Sequence, residues 1–339
     1  MPLEIITDIF QRLDDQDLSN IRLTCKCLHT KVHITFAKRC FQYRCHMLNE
    51  HSLEALREIS NNPAFNTMVH ELRICTFHLN AEPEYARDLP LDYYQYTEEQ
   101  EEFHRHGLDI ALLAQALGNF PNCSRIEIAN DLFKPWGFST LAQRIAPHPN
   151  EHEEPFWSWP EDVDVVKRAV RVLLTAIIAS NSQPKELCIL MGGDNCSTIC
   201  ISHLDLPVMT ATQVKLHFTQ LEHLHLIAGF DEYDVDPEVL IGQYIQFVSL
   251  FPHISRFTMD FAARVDELDA DEGEARFRSM SAALDIPNLQ ALKICCAMCN
   301  TDAVLQLLQR HPCLKTLELD GVDVVDGDKK AWQSFLRRI

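Results

Sequence analysis

From residue 69 onward one arrangement of apolar positions keeps returning: apolar, two spacers, apolar, one spacer, apolar. Val69, Leu72 and Ile74 carry the first copy, and Cys123, Ile126 and Ile128 the second. Pro184, Leu187 and Ile189 follow, then Leu221, Leu224 and Leu226, then Ile254, Phe257 and Met259. Leu289, Leu292 and Ile294, with Leu314, Leu317 and Leu319, complete seven copies. Alternation at the closing positions predicts a strand with one buried face. Proline stands just ahead of four strands, at Pro121, Pro252, Pro287 and Pro312, where it ends a helix and starts an extended segment. Between the strands, amphipathic stripes at 53–59, 108–117, 163–179, 239–250, 275–284 and 303–308 predict helices, with Thr301 and Asp302 capping the last.

One strand–helix unit cannot bury its own apolar face, but stacked units share a continuous core. The series resembles a leucine-rich-repeat solenoid. Its copies start 25 residues apart near the C-terminus and up to 61 apart towards the N-terminus. A regular repeat would place Asn or Cys nine positions in, where this chain has Phe77, Asp131, Gly192, Gly229, Ala262, Ala297 and Val322. An irregular solenoid is therefore expected, and several small α/β units without a common curve are the alternative. The extra length falls between a strand and the next helix, near 80–107, 130–161 and 192–212. Insertions so placed emerge on one rim and often mark a binding face.

The first 30 or so residues follow a different pattern. Pro2 suits a first helical turn. Ile5, Ile9 and Phe10 recur at helical spacing, widened by Ile6 and Leu13. Asp14, Asp15 and Asp17 are N-cap candidates ahead of a second apolar face made by Leu18, Ile21 and Leu23. Pro2, Glu4, Ile5, Ile9, Phe10, Leu13, Asp17, Leu18, Arg22, Thr24, Cys25, Lys26 and Leu28 fall in the register of a known motif, and the stretch resembles an F-box. The residues alone also admit a helical cap on the solenoid.

The expected protein is α/β: a short all-helical F-box-like module at 1–48, then an irregular leucine-rich-repeat-like solenoid at 49–339, closed by a helix near 329–336. The resemblance implies a substrate-recognition subunit of a Skp–cullin–F-box ubiquitin ligase, with no bond-making residue and no cofactor of its own. It would bind a Skp-type adaptor and through it a cullin. Pro2, Leu3, Ile5, Ile9, Phe10, Leu13, Leu18 and Leu23 become the expected adaptor contacts. The alternative is an interaction scaffold with no part in ubiquitylation.

Charge narrows the partners. The chain holds 30 Lys/Arg against 49 Asp/Glu, a formal charge of −19. Residues 1–50 are nearly neutral, so the acidity belongs to the remainder. Such a surface repels phosphate backbones and accommodates a basic protein, so no nucleic-acid partner is expected. The 13 cysteines show no disulfide spacing, and Glu4 and Asp8 stand where a secretory leader needs an apolar run. No apolar run reaches membrane-spanning length. The expected location is intracellular, in cytoplasm or nucleus.

Aromatic residues cluster in two insertions. Tyr93, Tyr94 and Tyr96 lie among carboxylates, and Trp136, Trp157 and Trp159 share the next insertion. Aromatic anchors beside charge are what interface hot spots use, which makes these six the substrate-contact candidates, for a protein bearing basic residues. Metal and catalytic signals are weaker. Cys295, Cys296 and Cys299, and likewise Cys196, Cys200 and His203, lack a second ligand pair for zinc. The acidic stretches 231–236 and 266–274 lack EF-hand order, and nucleophile-elbow, P-loop and zincin motifs are missing.

Overall fold

A computed structural model describes residues 3–76, 91–129, 135–138, 140–141, 163–190, 204–227, 236–261 and 270–324. Three helices come first: α1 (Leu3–Arg12), α2 (Asp15–Thr24) and α3 (Lys26–Phe41). The Asp14 carboxylate accepts the Asp17 N–H at 2.7 Å and so starts α2. Phe10, Leu18, Val32 and Phe36 form a small core between the three helices.

The rest alternates strand and helix. In order come β1 (Tyr43–Met47), α4 (Glu50–Asn61), β2 (Glu71–Cys75), α5 (Leu91–Arg105), α6 (Leu108–Gly118) and β3 (Arg125–Ala129). Then follow α7 (Val163–Ser180), β4 (Glu186–Leu190), α8 (Val208–His217), β5 (His223–Ile227), α9 (Pro237–Val248) and β6 (Arg256–Asp260). The described chain ends with α10 (Ala270–Ala283), β7 (Ala291–Cys295), β8 (Met298–Cys299), α11 (Thr301–Arg310), β9 (Thr316–Asp320) and β10 (Asp323–Val324).

Eight strands form one parallel sheet in the order β1-β2-β3-β4-β5-β6-β7-β9, so each main strand pairs with the next in sequence. All seven strands expected from the apolar pattern are in it. The register is uniform: Leu72, Ile126, Leu187, Leu224, Phe257, Leu292 and Leu317 form one row. Ile74, Ile128, Ile189, Leu226, Met259, Ile294 and Leu319 form a second. Both rows pack on helix residues such as Leu53, Leu113, Leu173 and Tyr244 in one long core.

Tyr43–Met47, which falls within the stretch expected to be helical, is the first strand of this sheet. Its inward positions are Arg44 and His46, in register with Leu72 and Ile74. Among the described residues, α5 lies inside the expected insertion 80–107 and the start of α8 inside 192–212.

Main-chain bonds hold the entry to each main strand and, among the described residues, the exits of the last strands. The carbonyl two residues ahead of the first core row accepts two N–H groups from the next unit, at 2.8–3.2 Å. Gln42, His70, Ser124, Lys185, Glu222, Ser255 and Gln290 supply these carbonyls in succession. Beyond the strands, the Phe261 N–H donates to Cys295 O, Cys296 N–H to Asp320 O and Asp323 N–H to Ala297 O, at 2.8–3.1 Å. At Ala297, backbone groups thus do what an Asn side chain would otherwise do.

Candidate interaction surfaces

On α1, Ile5 and Ile9 are one helical turn apart and exposed, at 51% and 40% of their surface. Leu23 on α2 is 79% exposed. Phe10 and Leu18 are buried in the three-helix core, and Leu13 packs at its edge. Arg22 lies over the Phe36 ring at 4.3 Å, and Arg39 pairs with Asp15 at 2.7 Å while donating to the Leu13 carbonyl. These contacts let the bundle close while Ile5, Ile9 and Leu23 stay in water. Pro2 lies outside the described residues, and of Leu3 only the backbone is described.

A second surface is the sheet face turned away from the helices. Parallel pairing brings Glu71, Arg125, Glu186, His223 and Arg256 into one row, and Arg73, Glu127, Cys188, His225, Thr258, Lys293 and Glu318 into the next. Arg125 reaches Glu127 at 3.0 Å, Glu186 at 3.6 Å and Glu71 at 3.9 Å. Arg256 reaches Glu186 at 3.0 Å, Arg73 pairs with Glu127, and Lys293 with Glu318 at 2.7 Å. Glu127 is almost fully buried between its two arginines. A carboxylate so placed is tolerated only because both cations stay.

His223 and His225 stack at 6.3 Å on this face, and His223 Nε2 is 3.0 Å from the Thr258 hydroxyl. Burial, with His223, Arg125 and Lys293 nearby, pushes His225 down to about 4. Its register neighbour Cys188 has its thiol pushed up to about 12 by burial first and by surrounding carboxylates. A thiol held there is protonated at neutral pH and is a poor nucleophile. Among the described residues no group of three His, Cys, Asp or Glu side chains could hold a metal ion, and no helix is long and apolar enough to cross a membrane.

The aromatic candidates separate. Tyr93 and Tyr96 are buried on the inner side of α5, and Tyr94 is exposed among Gln95, Glu98 and Glu101. Trp136 is partly exposed but does structural work. Its N–H donates to Cys45 O at 2.9 Å, its carbonyl accepts the Ser52 hydroxyl at 3.1 Å, and its ring lies 6.0 Å from His46 and 5.0 Å from His51. It pairs in parallel with His46 along the free edge of β1. Trp157 and Trp159 lie outside the described residues. The facing charges on the sheet were invisible in sequence, because each cross-strand pair joins residues dozens of positions apart.

Residues 1–34 match the F-box domain family. No curated protein matches the chain.

Proposed function

Because residues 1–34 form an F-box domain, we propose that the chain is the substrate-recognition subunit of a Skp–cullin–F-box ubiquitin ligase. F-box domains dock on Skp adaptors, and through them on a cullin. The observation that carries the reading is this domain with Ile5, Ile9 and Leu23 held in water on a closed helical bundle. Those three are the direct adaptor contacts; Pro2 and Leu3 extend them, and Phe10, Leu13 and Leu18 give the bundle its shape. The remaining strand–helix units act as an irregular leucine-rich-repeat-like solenoid that holds a protein substrate. Its sequential parallel sheet and the long apolar core its described residues share support that reading. The chain supplies proximity and specificity, and the bond-making groups belong to other subunits. Such a protein works inside the cell.

For the substrate, the exposed carboxylates of α5 around Tyr94 favour a partner with basic residues. The sheet face is a poorer anion or cation trap, since its charges already satisfy one another.

Affinity purification of the intact chain and of the double variant Ile5→Asp/Ile9→Asp, read by mass spectrometry, tests the proposal. Intact chain should bring down both adaptor and cullin. The variant should lose both by about tenfold or more, as truncation of central apolar anchors does, with an unchanged melting temperature. Recovery of adaptor without cullin would favour the scaffold reading. Recovery of neither would overturn the docking model.

A further inference from the structure

The junction between the helical bundle and the sheet is one residue long. α3 ends at Phe41, β1 starts at Tyr43, and Gln42 between them accepts the N–H groups of His70 and Glu71 at 3.0 and 3.1 Å. Gln42 is thereby the first carbonyl of the series that stitches all later units together. Phe41 packs against both the three-helix core and the long sheet core. Its ring stacks on Phe65 at 4.2 Å and 8°, and meets Phe36 edge-on at 5.9 Å. Arg44 closes the corner, donating to Cys40 O at 3.0 Å with its guanidinium 5.5 Å from the Phe41 ring. His33 on α3 also reaches Phe65, at 5.5 Å.

A flexible tether needs spare residues, and this junction has one, whose N–H donates to Lys38 O and whose carbonyl accepts two N–H groups. Separate folding units need separate cores, whereas here one aromatic ring belongs to both.

We infer that the three helices and the first strands of the sheet form one cooperative unit joined through Phe41, so that a protein docked on the F-box stabilises the sheet. The inference rests on the docking reading only for its second arm. A ligand that binds the folded state alone protects every amide that opens in the same cooperative event by the same factor, 1 + [L]/Kd. If bundle and sheet opened separately, the adaptor would protect only the bundle. The joint therefore couples occupancy of the F-box to the order of the first strands of the region proposed to hold substrate.

Native-state hydrogen exchange on the full chain, followed by mass spectrometry, tests this in two arms. In the first, the chain alone is titrated with sub-denaturing urea. The slowest amides of α3 and of β1–β2 should share one opening constant within about threefold and one urea slope; different slopes would overturn the inference. In the second, adaptor is added to about 100 times its Kd. Protection should rise about 100-fold in peptides from both α3 and β1–β2. A rise confined to residues before Gln42 would overturn it. Failure of the adaptor to bind would instead count against the docking reading, with the first arm still deciding the joint. Phe41→Ala should split the two regions into separate openings. If that variant does not fold, insertion of two glycines between Gln42 and Tyr43 makes the same cut without removing the ring, and unchanged coupling in it would overturn the proposal.

Discussion

Asp109 sits in the first turn of α6 with no exposed side-chain surface, paired with Arg168 of α7. Its other oxygen accepts the Ile110 N–H at 2.8 Å, and Arg168 also reaches the His104 carbonyl at 3.4 Å. Breaking a fully buried pair costs about 3–5 kcal/mol, and removing Asp109 falls toward the low end because Arg168 is partly exposed and keeps the His104 carbonyl. Replacing both with apolar groups of similar volume removes the desolvation penalty along with the attraction. Asp109→Ala should therefore lower urea stability by several kcal/mol, while Asp109→Leu/Arg168→Met should recover most of the loss. His46 answers to pH instead. Burial first, then Arg44, pushes it down to about 3, with the Ser52 carbonyl opposing. In the unfolded chain a histidine titrates near 6.5. Between those values the unfolded state binds a proton that the folded state refuses, so stability is complete above pH ~6.5 and falls as pH falls. The slope is about 1.4 kcal/mol per pH unit for each such histidine. His225, pushed down to about 4, adds a second contribution over most of that window. Urea midpoints at pH 7.5 and 5.5 should differ in the native chain, and His46→Gln should shrink the difference.

At the scale of elements, β1 is the informative case. Its inward residues are Arg44 and His46, so the aliphatic alternation that announces the other seven main strands is missing. The strand forms because a neighbour supplies what its sequence lacks. His46 Nδ1 lies 2.9 Å from the Ser52 carbonyl, and Trp136 covers the free edge of the strand. An open edge would invite pairing with other chains. Trp136→Ala should cost roughly 1–2 kcal/mol, less than the ~3–5 for a fully buried tryptophan because the ring is part-exposed, and should raise aggregation rates measured by light scattering. Gly137 beside it takes φ 86°, and a side chain there would meet the His51 ring at 3.4 Å, which makes the turn dependent on glycine. The same logic accounts for what else was hidden in sequence. α5 is masked by its carboxylates, and α8 by outward Val208, Met209 and Leu216, which leave it no clean apolar stripe. Strands with two aliphatics and helices with one apolar face were legible. The F-box was legible too, as thirteen positions in fixed register. The paired charges on the sheet face were not, because they depend on register between distant strands.

For the molecule as a whole, the apolar surface left in water and the charge are unevenly shared. The near-neutral first 50 residues carry Ile5, Ile9, Leu23 and Ile34 in exposed positions, and the acidity lies in the rest. Net charge keeps chains apart by mutual repulsion, but that protection is weakest where the local charge is close to zero. Exposed apolar residues on such a surface are a site of association, either with a proper partner or with another copy in the wrong orientation. Salt should sharpen the contrast, because screening at 0.5 M shortens the reach of the acidic repulsion to a few ångströms and leaves apolar contact untouched. The intact chain is therefore expected to form soluble aggregates in 0.5 M salt and to stay monodisperse when co-expressed with a Skp adaptor, as read by size-exclusion chromatography with light scattering. Ile5→Asp/Ile9→Asp should stay monodisperse without the adaptor, because the substitution places two charges where the bundle has none to spare. If intact chain and variant behave alike in high salt, the exposed face of α1 is not what makes the chain associate, and the outward Val208, Met209 and Leu216 of α8 are.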